Sequence, residues 1–99
     1  MDRETILDLL HKNKDTIKGF GVSSLVLFGS YARNEQTKES DIDFLVEFRP
    51  EKYSIDNHLG LLYFLEELFN KKIDLVKKHM VREELKEEIF GGSLYAAKI

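Results

Sequence analysis

The run from Ser24 to Phe28, closed by Gly29, constrains the fold more than any other segment of the chain. It is short and mostly apolar, and it contains β-branched and aromatic residues, which is typical of a strand. Because apolar residues follow one another instead of alternating with polar ones, both faces of this strand are expected to be covered. The rest of the chain must therefore supply neighbouring strands and packing helices.

Helical and strand-like patterns alternate along the remaining sequence. Their order predicts an α/β (α+β) fold, in which a small mixed β-sheet is packed by helices. Three helices are predicted: residues 3–14, with Ile17 extending the apolar face; residues 58–70, which end at Asn70; and residues 81–90, which end before Gly91-Gly92. Three strands are predicted over residues 24–28, 41–48 and 72–76. One helical turn with a loop is expected within residues 31–40.

Composition limits the classes of protein to which the chain can belong. A length of 99 residues with 42% hydrophobic side chains predicts a single folded domain spanning residues 1–99. A net charge of −3 gives no general attraction for a polyanion, so direct nucleic-acid binding is not expected. The absence of cysteine excludes disulfides and thiolate chemistry and suits the cytoplasm. The charged N-terminus and the lack of an apolar run of ~20 residues predict neither export nor membrane insertion.

Two pairs of residues, Gly29-Ser30 and Asp41 with Asp43, interrupt the otherwise apolar pattern of the first two predicted strands. Gly29 and Ser30 end the first predicted strand, and ten residues separate Ser30 from Asp41. Glycine allows close approach of a ligand to the backbone, and a serine hydroxyl and amide at the start of a turn suit phosphate oxygens. Asp41 and Asp43 are two residues apart in a strand, so their carboxylates share one face. Such a pair favours a hard cation such as magnesium, with phosphates completing its shell.

A third carboxylate, Asp74, lies in the next predicted strand between Ile73 and Leu75. A charge in an apolar run is costly to bury without a partner. If the two strands are neighbours, Asp74 could complete a set of three carboxylates that holds a second metal and polarises an acceptor hydroxyl. An exposed position at a strand edge would also tolerate it.

Gly-Ser, an interval of ten residues, Asp-x-Asp and a distal strand Asp together resemble the nucleotidyltransferase superfamily of DNA polymerase beta and the antibiotic nucleotidyltransferases. With its length and its segments GSYAR and SDIDFLVEF, the chain is similar to the minimal nucleotidyltransferase (MNT) branch. That branch supplies the antitoxin partners of HEPN-domain toxins. The resemblance implies a nucleotidyltransferase fold.

The resemblance also implies a role for each residue in binding a magnesium nucleoside triphosphate. Arg33 matches the arginine commonly seen three positions after the serine and is expected to neutralise phosphate charge. Asn34 departs from the family pattern, because many relatives carry glycine there; asparagine tolerates left-handed backbone better than most residues. The implied catalytic residues and Mg²⁺ ligands are Asp41, Asp43 and Asp74, and the implied triphosphate-binding residues are Gly29, Ser30 and Arg33.

Each signal taken alone also has a purely structural interpretation. Gly29-Ser30 could be an ordinary strand-to-turn junction, Asp41 a turn cap, and Arg33 a solvated surface charge. It is the combination of the Gly-Ser pair with the Asp pair that favours a site. The three histidines show no metal-ligand spacing and are assigned no chemistry: His11, His58 and His79.

The favoured function is transfer of AMP from Mg-ATP to a protein hydroxyl. The resemblance implies the acceptor, a tyrosine of a HEPN toxin, which modification would silence. Two alternatives stay open at this point: a non-catalytic antitoxin that neutralises the toxin by binding, and the catalytic subunit of a two-chain nucleotidyltransferase for a small molecule.

Overall fold

The computed structural model describes residues 1–77 and 97–98. Within them the elements follow the predicted order, although several boundaries differ. The helix predicted over residues 81–90, with its stop at Gly91-Gly92, lies outside the described residues. The helices are α1 (Arg3–Lys12), α2 (Lys14–Gly19) and α3 (Ile55–Phe69), with a 3₁₀ turn at Pro50–Lys52; the strands are β1 (Val22–Phe28), β2 (Ile42–Phe48), β3 (Ile73–Lys77) and β4 (Ala97–Lys98).

The strands form one sheet in the order β3-β2-β1-β4. β1 pairs antiparallel with β2 and β4, whereas β2 and β3 are parallel. Parallel neighbours need a crossover connection, and α3 provides it between β2 and β3. The predicted fold class, a small mixed sheet packed by helices, is therefore confirmed.

The first helix is shorter than predicted, because Asn13 divides the predicted segment. The Asn13 side chain donates to the Leu9 carbonyl oxygen at 2.8 Å, a local bond that competes with continuation of the helix. The α2 helix then starts at Lys14 and buries Ile17 completely. The predicted apolar face thus continues across the break.

The α3 helix begins at Ile55 instead of residue 58. Ser54 caps it, accepting a hydrogen bond from the Asn57 backbone N–H at 3.0 Å. Because Ile55 is 68% exposed, it lies outside the buried stripe on which the periodicity depends. The helix ends as predicted at Asn70, whose φ of 50° is left-handed. None of the described helices, α3 included, is long and apolar enough to cross a membrane.

The two sides of the sheet receive alternate residues of each strand. Leu25 and Leu27 of β1 join the main hydrophobic core with residues of all three helices. Val26 faces the opposite side and is only 3% exposed. Both sides of β1 are therefore covered, as the continuous apolar run predicts.

Candidate active site

The turn that follows β1 lies against the start of β2. Phe28, the last residue of β1, is the register partner of Asp43. Gly29 comes next with a φ of 77°, and a Cβ added there would overlap the Asp43 carboxylate. Glycine is needed here for two reasons, the left-handed backbone and the close approach of Asp43.

Residues 29–35 form a tight helical turn, as the sequence predicts. The Arg33 amide donates to the Gly29 carbonyl oxygen at 3.2 Å, and the Glu35 amide donates to the Ser30 carbonyl oxygen at 2.9 Å. Asn34 adopts a φ of 57°, a left-handed conformation that asparagine tolerates better than most residues. Ser30 thus follows directly on Gly29, at the end of β1 that lies against Asp43.

Three carboxylates lie on the side of the sheet opposite the main core. Asp43 and Asp74 are direct register partners in the parallel pair of β2 and β3. Asp41 lies two residues before Asp43, just ahead of β2, so it shares the same side. β2 and β3 are therefore neighbours, which is the condition for Asp74 to join the other two carboxylates.

The carboxylate of Asp43 is the electrostatic centre of this group. Burial is the largest cause that raises its pKa from 3.8 to about 6, and the negative charges of Asp74 and then Asp41 contribute to the same shift. The guanidinium of Arg33 opposes the shift. That arginine is itself paired with Glu35, Nε to Oε2, at 3.2 Å. Within residues 1–77, the negative charge of the carboxylates therefore exceeds the positive charge that Arg33 supplies.

These residues fit a divalent cation that arrives with phosphate ligands. A hard cation would relieve the repulsion between the carboxylates, and oxygen ligands are those that magnesium prefers. Among the described residues, however, no three His, Cys, Asp or Glu side chains are close enough to form a ready-made metal cage. The donor set suits a metal that keeps several open positions for a substrate better than a closed structural site.

The described histidines, to which no chemistry was assigned, lie in different environments. His58 packs beside Phe48, with ring centroids 6.1 Å apart, and burial lowers its pKa. His11 is exposed on α1, and His79 lies outside the described residues. Asp43 faces both Gly29 and Asp74, which the spacing of the two aspartates in the sequence does not reveal. The pairing of Arg33 with Glu35 was also missed, although their spacing in the turn would have suggested it.

Residues 7–96 match the sequence profile of the nucleotidyltransferase domain. The chain belongs to the nucleotidyltransferase family. A candidate protein adenylyltransferase of Methanocaldococcus jannaschii is 45% identical over 78 residues, which are 77% of this chain and 78% of that protein. Protein adenylyltransferase MntA of Thermococcus cleftensis is 34% identical over 85 residues, covering 86% of this chain and 84% of the relative.

Solved structures share the fold. A candidate minimal nucleotidyltransferase superposes with a TM-score of 0.80 at 28% identity, covering 93% of both chains. A crystal structure of a toxin-antitoxin with AMP-PNP superposes with a TM-score of 0.60 at 23% identity, covering 93% of this chain and 69% of that chain. The nucleotidyltransferase fold is thus confirmed, and the chain is an enzyme of nucleotidyl transfer.

Proposed function

We propose that this nucleotidyltransferase transfers AMP from Mg-ATP to a hydroxyl of a partner protein, a tyrosine of a HEPN-domain toxin, and thereby acts as an antitoxin in the cytoplasm. The observation that carries the proposal is the pairing of Asp43 with Asp74 beside the Gly29-Ser30 turn. The names of the protein adenylyltransferase relatives support a protein as acceptor. The toxin-antitoxin structure that shares the fold, solved with AMP-PNP, supports the partner class and the nucleotide.

In this mechanism each part of the site has a separate task. The amides and hydroxyl of Gly29-Ser30 bind the triphosphate, and Arg33 neutralises part of its charge. Asp41 and Asp43 would hold Mg²⁺, which when bound would stabilise the charge developing on the phosphates. Asp74, on the neighbouring strand, orients and polarises the acceptor hydroxyl, and it would also serve as a ligand if a second metal were bound.

The reaction is an in-line displacement at the α-phosphorus. The acceptor oxygen forms a bond to the α-phosphorus, the bond from that phosphorus to the bridging oxygen breaks, and pyrophosphate leaves. The hydroxyl proton passes to a carboxylate of the site or to water. The backbone donors of the turn are fixed before the reaction, so they stabilise the transition state without rearrangement.

The decisive experiment separates transfer from binding alone. The protein is mixed with its neighbouring gene product, magnesium and ATP, and the intact masses of both chains are recorded. An added AMP on the partner is expected. An unmodified partner that nevertheless co-purifies with the protein would favour the non-catalytic antitoxin, and modification of a small molecule instead would favour the two-chain transferase.

The variant for this experiment is Asp41→Asn with Asp43→Asn. The two changes keep side-chain volume and remove the anionic ligands, so transfer should fall by at least about a thousandfold. Co-purification with the partner should persist. Full protection of cells by this variant, with the partner unmodified, would contradict a catalytic mode of neutralisation.

A further inference from the structure

A cavity of about 470 Å³ is lined in part by residues that stand close in sequence to the proposed site residues. Tyr31 directly follows Ser30 of the glycine-serine turn. Lys38 stands three residues before Asp41, and Lys71 stands three residues before Asp74. The residues that line this cavity, called the Lys38–Lys71 pocket below, are Met1, Tyr31, Gln36, Thr37, Lys38 and Lys71.

The pocket is positively charged within a chain of net charge −3. Lys38 and Lys71 both line it, and none of its described lining residues is acidic. Lys71 is held in place, since its Nζ donates to the Lys38 carbonyl oxygen at 3.1 Å and lies 6.0 Å from the centroid of the Tyr31 ring. An ammonium group has three donors, so Lys71 keeps two for a ligand.

Gln36, which lines the pocket, also carries a buried hydrogen-bond acceptor without a partner among the described residues. The Gln36 side chain donates from Nε2 to the Met1 carbonyl oxygen at 3.2 Å. Its Oε1 is buried and has no hydrogen-bond partner among the described residues. A buried amide oxygen normally has a partner. A ligand for this pocket should therefore present acceptors to the lysines and a donor to Gln36.

We propose that the Lys38–Lys71 pocket is an anion subsite that binds a terminal phosphate group without a metal. A terminal phosphate combines oxyanions with an exchangeable P–OH near neutral pH, because its second pKa is about 6. It therefore meets both requirements of the pocket, whereas a carboxylate offers no donor. The subsite is distinct from the carboxylates of the catalytic site, which repel anions in the absence of metal.

Calorimetric titration of the intact protein with inorganic pyrophosphate, in the presence of a chelator, tests this proposal. Saturable binding is expected, and it should persist in Asp43→Asn, since no catalytic carboxylate takes part. The variant Lys38→Gln with Lys71→Gln should weaken binding by at least about tenfold, because charge-assisted hydrogen bonds are lost. The matched control is Lys14→Gln with Lys18→Gln, which removes the same charge from exposed positions on α2.

The outcomes of this titration show whether the bound phosphate is free or belongs to a nucleotide, and whether the subsite exists. Saturable pyrophosphate binding identifies a free phosphate ligand. If metal-free ATP binds through the two lysines while pyrophosphate does not, the terminal phosphate comes from a nucleotide. Equal weakening in the Lys14 and Lys18 control, or no saturable binding of either probe, would overturn the subsite. Thermal unfolding of each variant confirms that it is folded, and because no transfer is measured, the result is independent of the proposed catalytic function.

Discussion

Asp43 is the residue at which burial, neighbouring charge and backbone geometry combine. It faces Asp74 across the parallel pair and approaches Gly29 from the other side. In the folded chain its pKa lies near 6, above the value of 3.8 that applies when the residue is solvated. The folded state therefore binds the proton more tightly than the unfolded state does. The stability that this proton binding contributes is present at low pH and is lost as the pH rises through about 6.

From this shift we predict that Asp43→Asn stabilises the metal-free protein at pH 7.5 but has little effect at pH 4. Because Asp43 is partly exposed, solvent screening reduces the gain to on the order of 1 kcal/mol. Chemical denaturation of both chains in a chelator, at the two pH values, measures the difference. The exposed acid Glu67, changed to Gln, serves as control and should show no comparable gain at pH 7.5. If Asp43→Asn instead lowered stability at pH 7.5, the prediction would be wrong, because the wild-type carboxylate would then have to be compensated by a positive charge or by hydrogen bonds.

The backbone of Gly29 supports a second prediction at the scale of one residue. Gly29→Ala should destabilise the fold by about 1–3 kcal/mol, because it combines a positive φ with overlap of the Asp43 carboxylate. The control is Gly19→Ala, since a Cβ at Gly19 meets no atom within 4 Å. The control should be neutral or slightly stabilising in urea denaturation.

A double variant separates the two causes of the Gly29→Ala effect. Asp43→Ala removes the carboxylate that the new methyl group would meet, so Gly29→Ala should cost less in that background. The remaining cost measures the strain of the left-handed backbone. Equal costs in both backgrounds would assign the whole effect to the backbone.

At the scale of elements, much of the fold and the site could be predicted from local pattern. The run that ends at Phe28 predicted a strand covered on both faces. Gly29-Ser30 with Asp41-x-Asp43 predicted a phosphate site, and the structure brings Gly29 of the first pair against Asp43 of the second. What failed were boundaries set by side chains that bond locally. Asn13 interrupts the first helix, and Ser54 starts α3 before its apolar stripe begins.

The register between β2 and β3 could not be predicted from sequence. It depends on how α3 packs as the crossover between the two strands, which is a tertiary property. The pairing of Asp43 with Asp74 was therefore conditional on the strands being neighbours. The Lys38–Lys71 pocket was missed for the same reason, because its two lysines are brought together only by that crossover.

The end of α3 provides a prediction for an element. Asn70 closes the helix with a φ of 50°, so Asn70→Gly should hold or raise stability, while Asn70→Ala should lower it by about 1 kcal/mol. Asn13 is the matched control, because its φ of −109° gives glycine no advantage. Asn13→Gly should therefore lower stability in the same urea denaturation. A gain for glycine at both positions would show that left-handed geometry is not the cause.

For the whole molecule, binding of Mg-ATP should be visible as thermal stabilisation. The proposed ligand contacts come from three separate segments that only the folded sheet brings together, so the nucleotide binds the native state. At a concentration of 100 times Kd this contributes about 2.7 kcal/mol, which should raise Tm by roughly 10 °C or more in a domain of this size. A thermal shift assay measures the effect with magnesium and with a chelator.

The control for thermal stabilisation is the variant Asp41→Asn with Asp43→Asn. It should lose most of the shift caused by Mg-ATP while unfolding cooperatively. An equal shift by ATP in the chelator would contradict the assignment of the metal to these carboxylates. Such a result would leave the Lys38–Lys71 pocket as the site responsible, and the lysine variant would test that directly.

The register of β3 links correct folding to activity. A slip of one residue against β2 would bring Ile73 or Leu75 opposite Asp43 and turn Asp74 toward the apolar core. In the correct alignment the two acids repel each other, while the neighbouring Ile73 is buried in the core. A chain with the slipped alignment would both lose the carboxylate of Asp74 from the proposed site and expose apolar side chains. Misaligned molecules would thus be inactive and prone to aggregation. The alternation of Ile73, Asp74 and Leu75 therefore favours the one register of β3 that is compatible with activity.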